Sequence, residues 1–192
     1  MPWSCADGDA TFRRRQAASG FAMALSVVTP ASPAIALGAA IAHSPLGVAL
    51  RESAWLYPTV ESLHVVGLAL LVGSIFVVDL RLVGIGRNVP LKALLAFVLP
   101  VTLSCLLLVV PTGLLLFIAH ASDLIGNRAF LVKLTLLFAA AINALMFHVG
   151  PYRQAIDQAP GAASGAATRA SAIASMGLWI AVIIAGRMIA YA

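Results

Sequence analysis

Apolar residues come in four long runs, parted by short stretches where Arg, Lys, Asp, Gly and Pro collect. The runs cover about 58–78, 93–119, 129–149 and 171–191. A helix of roughly twenty residues crosses a hydrocarbon core about 30 Å thick, so each run is long enough to span a bilayer. The pattern predicts an all-α fold, an integral membrane four-helix bundle over residues 44–192 with an N-terminal extension over 1–43. Pro100 and Pro111 fall inside the second run and are expected to kink it. Gly84 and Gly86 supply turn material in the first loop, and the Gly-, Ala-, Ser- and Pro-rich stretch 150–169 reads as a mobile loop. Ser44 to Ser53 reads as a short amphipathic segment at the interface, with Trp55 and Tyr57 anchoring the first span at headgroup level.

The first 43 residues follow another pattern. Arg13, Arg14 and Arg15 precede an apolar, small-residue stretch broken by Pro30 and Pro33. Three readings stay open: a signal peptide cleaved after Ala36, an extra span, or an over-extended reading frame with Met23 as the true start.

Composition supports the membrane reading. The chain is 61% hydrophobic and 10% charged over 192 residues, whereas soluble domains run at about 45–50% apolar. The formal charge of +5 comes from basic residues scattered among loops, which argues topology rather than nucleic-acid binding. Arg81, Arg87 and Lys92 in one loop and Arg153 and Arg169 in another place loops 79–92 and 150–170 in the cytoplasm of a bacterial inner membrane. Cys5 and Cys105 have no motif spacing and imply no disulfide framework.

Candidate chemistry lies in the polar residues that interrupt the runs. Glu61 and His64, three apart, share a face of the first span. Ionisable side chains are costly in lipid and turn inward to find partners. His120 ends the second span, Lys133 lies about a turn into the third and Arg187 about a turn from the end of the fourth, so every span brings a polar group to one leaflet. Neutral imidazole ligates haem iron and transition metals. His64 and His120 are therefore the expected pair of ligands to a haem b, or to a metal, although straight helices would hold them roughly 9 Å apart along the axis. Glu61 is the expected hydrogen-bonded neighbour of His64, and Lys133 the charge partner, for a propionate or for Glu61.

Simpler readings stand beside these. His120 and His148 would be interfacial at helix ends, Lys133 and Arg187 would snorkel, His43 would be solvent-exposed, and Glu61 with His64 would be a structural pair. Gly177, Ala181 and Ala185 form a small-residue stripe that allows close approach of another helix, within the chain or in a homo-oligomer. Phosphate loops, nucleophile elbows, Cys-x-x-Cys and His-Glu-x-x-His are absent, and no catalytic residue is assigned. Without Cys-x-x-Cys-His there is no c-type haem attachment. The leading function is haem b binding for electron transfer or haem metabolism, with a redox partner implied. The rivals are copper or proton transport along Glu61 and His64, or an accessory subunit without chemistry.

Ala49-Leu-Arg51-Glu52-Ser53, Tyr57-Pro58, Glu61-Ser-Leu-His64 and Asp79-Leu-Arg81-Leu-Val-Gly84 resemble the characteristic run of a group of bacterial inner-membrane proteins of unassigned function. The resemblance covers about 46–150, more weakly to the end. More distantly, the His of span one, Thr112-Gly113, and Phe130-Leu-Val-Lys133-Leu are similar to the copper-resistance D superfamily and to HemJ-type protoporphyrinogen oxidases. That likeness implies haem or copper handling in a helical bundle.

Overall fold

The computed structural model describes residues 33–157, 161–162 and 164–191. The three readings of the N-terminus fall largely on 1–32, outside the described residues. Helix α1 is Pro33–Ala42 and α2 is Pro45–Glu52, with a 61° bend between them. The spans are α3 Leu56–Val83, α4 Leu91–Ala119, α6 Arg128–Val149 and α8 Ala166–Met188, the last extended by a 3₁₀ turn to Tyr191. Two short helices, α5 Ala121–Leu124 and α7 Tyr152–Ile156, sit in the connections. Four helices are long and apolar enough to cross a membrane, or five if α1 and α2 together make one broken span.

Local chemistry sets the helix ends. Ser44 accepts a hydrogen bond from the Gly47 amide at 3.2 Å, with Pro45 at the first helical position of α2. Asn127 caps α6 by accepting from the amides of Ala129 at 2.8 Å and Phe130 at 3.2 Å. Gly84 terminates α3 at φ +123°, a conformation that side chains resist.

Two helix bounds depart from the sequence pattern. Helix α3 runs on to Val83 rather than ending near 78, so Asp79 and Arg81 belong to the helix and not to the loop. Both are buried. Arg81 tolerates this because its guanidinium donates to the carbonyls of Val89 at 2.8 Å and Arg87 at 2.9 Å, lacing the loop onto the helix end. Helix α8 likewise begins at Ala166 instead of 171, and α7 interrupts the expected loop.

The extensive packing follows the order α4–α3–α8–α6. Helices α4 and α6, at the ends of this order, approach where Phe117 stacks on Phe130, ring centroids 5.7 Å apart. The α3–α4 seam keeps one antiparallel register along its length. Ser74 meets Thr102 at 2.8 Å, Leu71 packs with Cys105 and Val109, and Gly67 lies under Val109. A second apolar cluster, Leu82, Leu91, Ala155 and Ala172, ties α3, α4, α7 and α8 together at the Gly84 end. Around this frame Val65, Leu70, Leu107, Phe138, Met146 and Ile184 face outward, as lipid-contacting side chains do. Trp55 and Tyr191, at the same end, are both exposed, fitting an aromatic belt.

Candidate functional site

His64 lies two turns into α3, on the seam with α4. The backbones come close there because the facing residue is a glycine. A Cβ on Gly113 would stand 2.9 Å from His64 Cε1, closer than real side chains approach. The imidazole therefore lies directly against the α4 backbone and is half-buried.

Its hydrogen bond fixes more than its position. His64 Nδ1 is 3.0 Å from Thr112 Oγ1. The single proton of that hydroxyl is already directed to the Leu108 carbonyl at 2.7 Å, with the Val109 carbonyl at 3.1 Å. Hydroxyls in a helix often bond back to such carbonyls, and this one occupies the turn that Pro111 loosens. Thr112 Oγ1 is thus the acceptor and His64 Nδ1–H the donor. Nε2 then carries the free lone pair, and no hydrogen bond to it exists among the described residues. Second-shell partners fix ligating histidines in this way.

Lys133 enters the same layer from α6. Its stem and ammonium lie over Gly186 of α8, at 3.7–3.8 Å from where a Cβ would be. The α3–α8 register, marked by Trp179 beside Leu71, places Gly186 near the level of His64. The Lys133 ammonium is within electrostatic range of the imidazole. All four spans therefore meet in one layer: His64 from α3, Thr112 and Gly113 from α4, Lys133 from α6 and Gly186 from α8.

His120 is not in that layer. It caps α4, and its ring packs edge-on against Tyr57 with centroids 5.2 Å apart. Tyr57 precedes His64 by two turns, so the rings of His64 and His120 sit at levels roughly 10 Å apart. Two imidazoles on one iron need their nitrogens only about 4 Å apart, twice an ordinary metal–imidazole bond. The bend at Pro111 needed to bring them level is not present: α4 runs from Leu91 to Ala119 in the same register on α3. His120 instead lines a pocket of about 420 Å³ with Arg51, Ser53, Ala54, Tyr57 and Pro58. Arg51 reaches it from α2, donating a bond to the Ala119 carbonyl at 2.6 Å.

Glu61 is exposed on α3, and the His64 hydrogen bond runs to Thr112 instead. Arg187 reaches Tyr191 at the helix end, with a 3.3 Å bond to the hydroxyl and the guanidinium 5.5 Å from the ring centroid. His148 stacks on Tyr152 at the opposite end of the molecule, and His43 is exposed. The small-residue stripe divides: Ala181 and Ala185 line an apolar groove with α6, while Gly177 faces open space. Among the described residues no three His, Cys, Asp or Glu side chains converge on a metal site.

Thr112 and Arg51 carry more of this geometry than the sequence pattern assigns them. The available signal was a hydroxyl placed directly after a proline inside an apolar run, and an arginine just before the interfacial Trp55 and Tyr57.

A family model described as a family of unknown function, DUF6644, matches residues 39–192, and the chain belongs to that family. The match begins a few residues before the 46 expected from the motif run and, like that resemblance, continues to the end. It names no activity, and it lends no support to the likeness with copper-resistance D proteins or HemJ-type oxidases. No curated protein and no solved structure matches the chain.

Proposed function

We propose that this chain is a multi-pass protein of the bacterial inner membrane that binds haem b through His64, for electron transfer or haem metabolism. The observation that carries the reading is the His64–Thr112 contact at 3.0 Å, which ties down Nδ1 and leaves Nε2 without a hydrogen-bond partner among the described residues, inside an apolar helix pair. His64 alone would hold a haem, through Nε2. The residues do not fit ligation by both His64 and His120, for the reason of level given above. A porphyrin supplies four nitrogens of its own, so one protein ligand is enough, whereas a protein-only copper site needs a ligand set that the described residues do not assemble. When bound, such a haem supplies one-electron redox chemistry.

The rest of the layer suits the same ligand. The Arg51–Tyr57–His120 pocket lies roughly two turns outward from His64, where the carboxylates at a porphyrin edge would meet a guanidinium at headgroup level. Lys133 offers a further positive charge. The positive-inside rule supports a cytoplasmic side for the 79–92 and 150–170 stretches, and an outer-leaflet level for the His64 layer.

The test is an absorption spectrum of the detergent-purified protein from haem-replete cells. A Soret band with a five-coordinate, high-spin signature is expected. His64→Ala should abolish it, while His120→Ala should keep the iron ligand and weaken retention. A preparation with no Soret band, which also takes up no added haemin, overturns the reading.

A further inference from the structure

A second buried polar group lies far from the histidine layer. Asp79 is four residues from the end of α3, and only 6% of its surface is exposed. One carboxyl oxygen, Oδ2, has no hydrogen-bond partner among the described residues. Ser175 of α8 is a polar neighbour of the carboxyl. No charged or titratable side chain of α4, α6 or α8 among the described residues acts on it. Arg81, two residues on, is equally buried, but its guanidinium is committed to the Val89 and Arg87 carbonyls. Positions two apart point to different sides of a helix, so Arg81 does not turn back to the carboxylate.

An ionised carboxylate in this setting would be a buried charge with no ion-pair partner among the described residues, which burial disfavours. A neutral carboxylic acid leaves only one polar atom unpaired, a smaller cost. The difference offsets much of the cost of protonating an aspartate in near-neutral solution, so this carboxyl takes up a proton far more readily than one in water. Intramembrane acids of this kind mark proton-binding positions more often than structural ones.

We infer that Asp79 is a proton-binding site: a buried carboxyl that binds and releases a proton close to neutral pH, far above the range of a solvated aspartate, and exchanges it with the solution at the Gly84 end. The position favours one-sided access. Val83, where α3 ends, is only about 6 Å further along the axis. On the other side, Leu71, Cys105 and Val109, with Trp179 packed against them, form an apolar layer between Asp79 and His64. The acid is therefore separate from the histidine layer, and the inference does not depend on the haem reading.

Infrared spectroscopy of the full-length protein in liposomes tests it. As the pH is lowered from neutral to mildly acidic, the C=O stretch of a protonated carboxylic acid should grow in well above the range of a solvated aspartate. Biosynthetic ¹³C labelling of aspartate carboxyls should move that band, which separates Asp79 from lipid-exposed Glu61. Transfer to heavy water should shift it as the proton exchanges. Asp79→Asn should remove the band. If that variant does not fold, Asp79→Glu should keep an acid band that no longer responds to the aspartate label. A spectrum with only carboxylate bands from aspartate down to mildly acidic pH would overturn the inference, as would an acid band that survives Asp79→Asn.

Discussion

The bond between His64 and Thr112 can be isolated from everything else those residues do. The perturbation is a double-mutant cycle of Thr112→Val and His64→Phe, both near-isosteric and both removing one partner. Thr112→Val alone also deletes the hydroxyl's bonds to Leu108 and Val109, at 2.7 and 3.1 Å, so its single effect is ambiguous in sign. The cycle cancels that term and leaves the coupling across the 3.0 Å contact. In water a buried donor deprived of its acceptor costs about 1–3 kcal/mol. Between membrane helices the measured average is about 0.6 kcal/mol with a maximum near 1.7, because the separated helices find other partners. The seam is half-buried in a helix pair, so the membrane scale governs, and the expected coupling is about 0.6–1.7 kcal/mol. Reversible unfolding in mixed detergent micelles reads it directly. If the tautomer argument holds, Thr112→Val should also weaken haem retention about 10- to 100-fold, the usual effect of losing a second-shell partner, and Thr112→Ser should restore it. A coupling below about 0.3 kcal/mol, within the scatter of independent sites, would refute the assignment of Nδ1–H as donor to Thr112.

Two further outcomes follow from the packing. Arg81→Leu leaves the Val89 and Arg87 carbonyls unpaired and should destabilise the protein by about 2–4 kcal/mol, from two charge-assisted bonds at about 1.5–3 kcal/mol each less the recovered desolvation. Arg81→Lys should rescue only part of this in the same unfolding assay, since an ammonium does not reproduce the planar fork. Gly67→Leu should cost about 1–3 kcal/mol or more by overpacking, because even a Cβ there lies 2.8 Å from Val109 Cγ2; Gly73→Leu, facing open space, should unfold like the parent protein.

Most of the architecture was legible because a bilayer imposes one requirement on every span: roughly twenty apolar residues with the backbone satisfied internally. The second and third helices accordingly fall within two residues of their expected bounds. The errors share a cause. Asp79 and Arg81 were assigned to a loop because charge normally marks the end of a span, yet the structure accommodates Arg81 with two loop carbonyls and leaves Asp79 beside Ser175. No one-dimensional pattern carries the position of Val89 relative to Arg81. At the site, depth along each helix is readable from the sequence, and Lys133 lies over Gly186, near the level of His64. Azimuth and inter-helix register are not readable from it. The expected bond from Glu61 to His64 depended on a shared helix face, whereas the partner came from Thr112 on another helix. The expected pairing of His64 with His120 depended on a bend at Pro111, which the register of α4 on α3 does not contain.

The order of packing has a consequence for how the protein is made. The last span rests on the first: α8 reaches α3, and its Ser175 is a polar neighbour of Asp79. Ribosomes add about 5–20 residues per second. Ser175 therefore emerges roughly 5 to 20 s after Asp79, with two whole spans synthesised in between. Throughout that interval the nascent first hairpin holds an aspartate without its eventual neighbour. A membrane acid that can take up a proton waits in lipid at less cost than one that must stay charged.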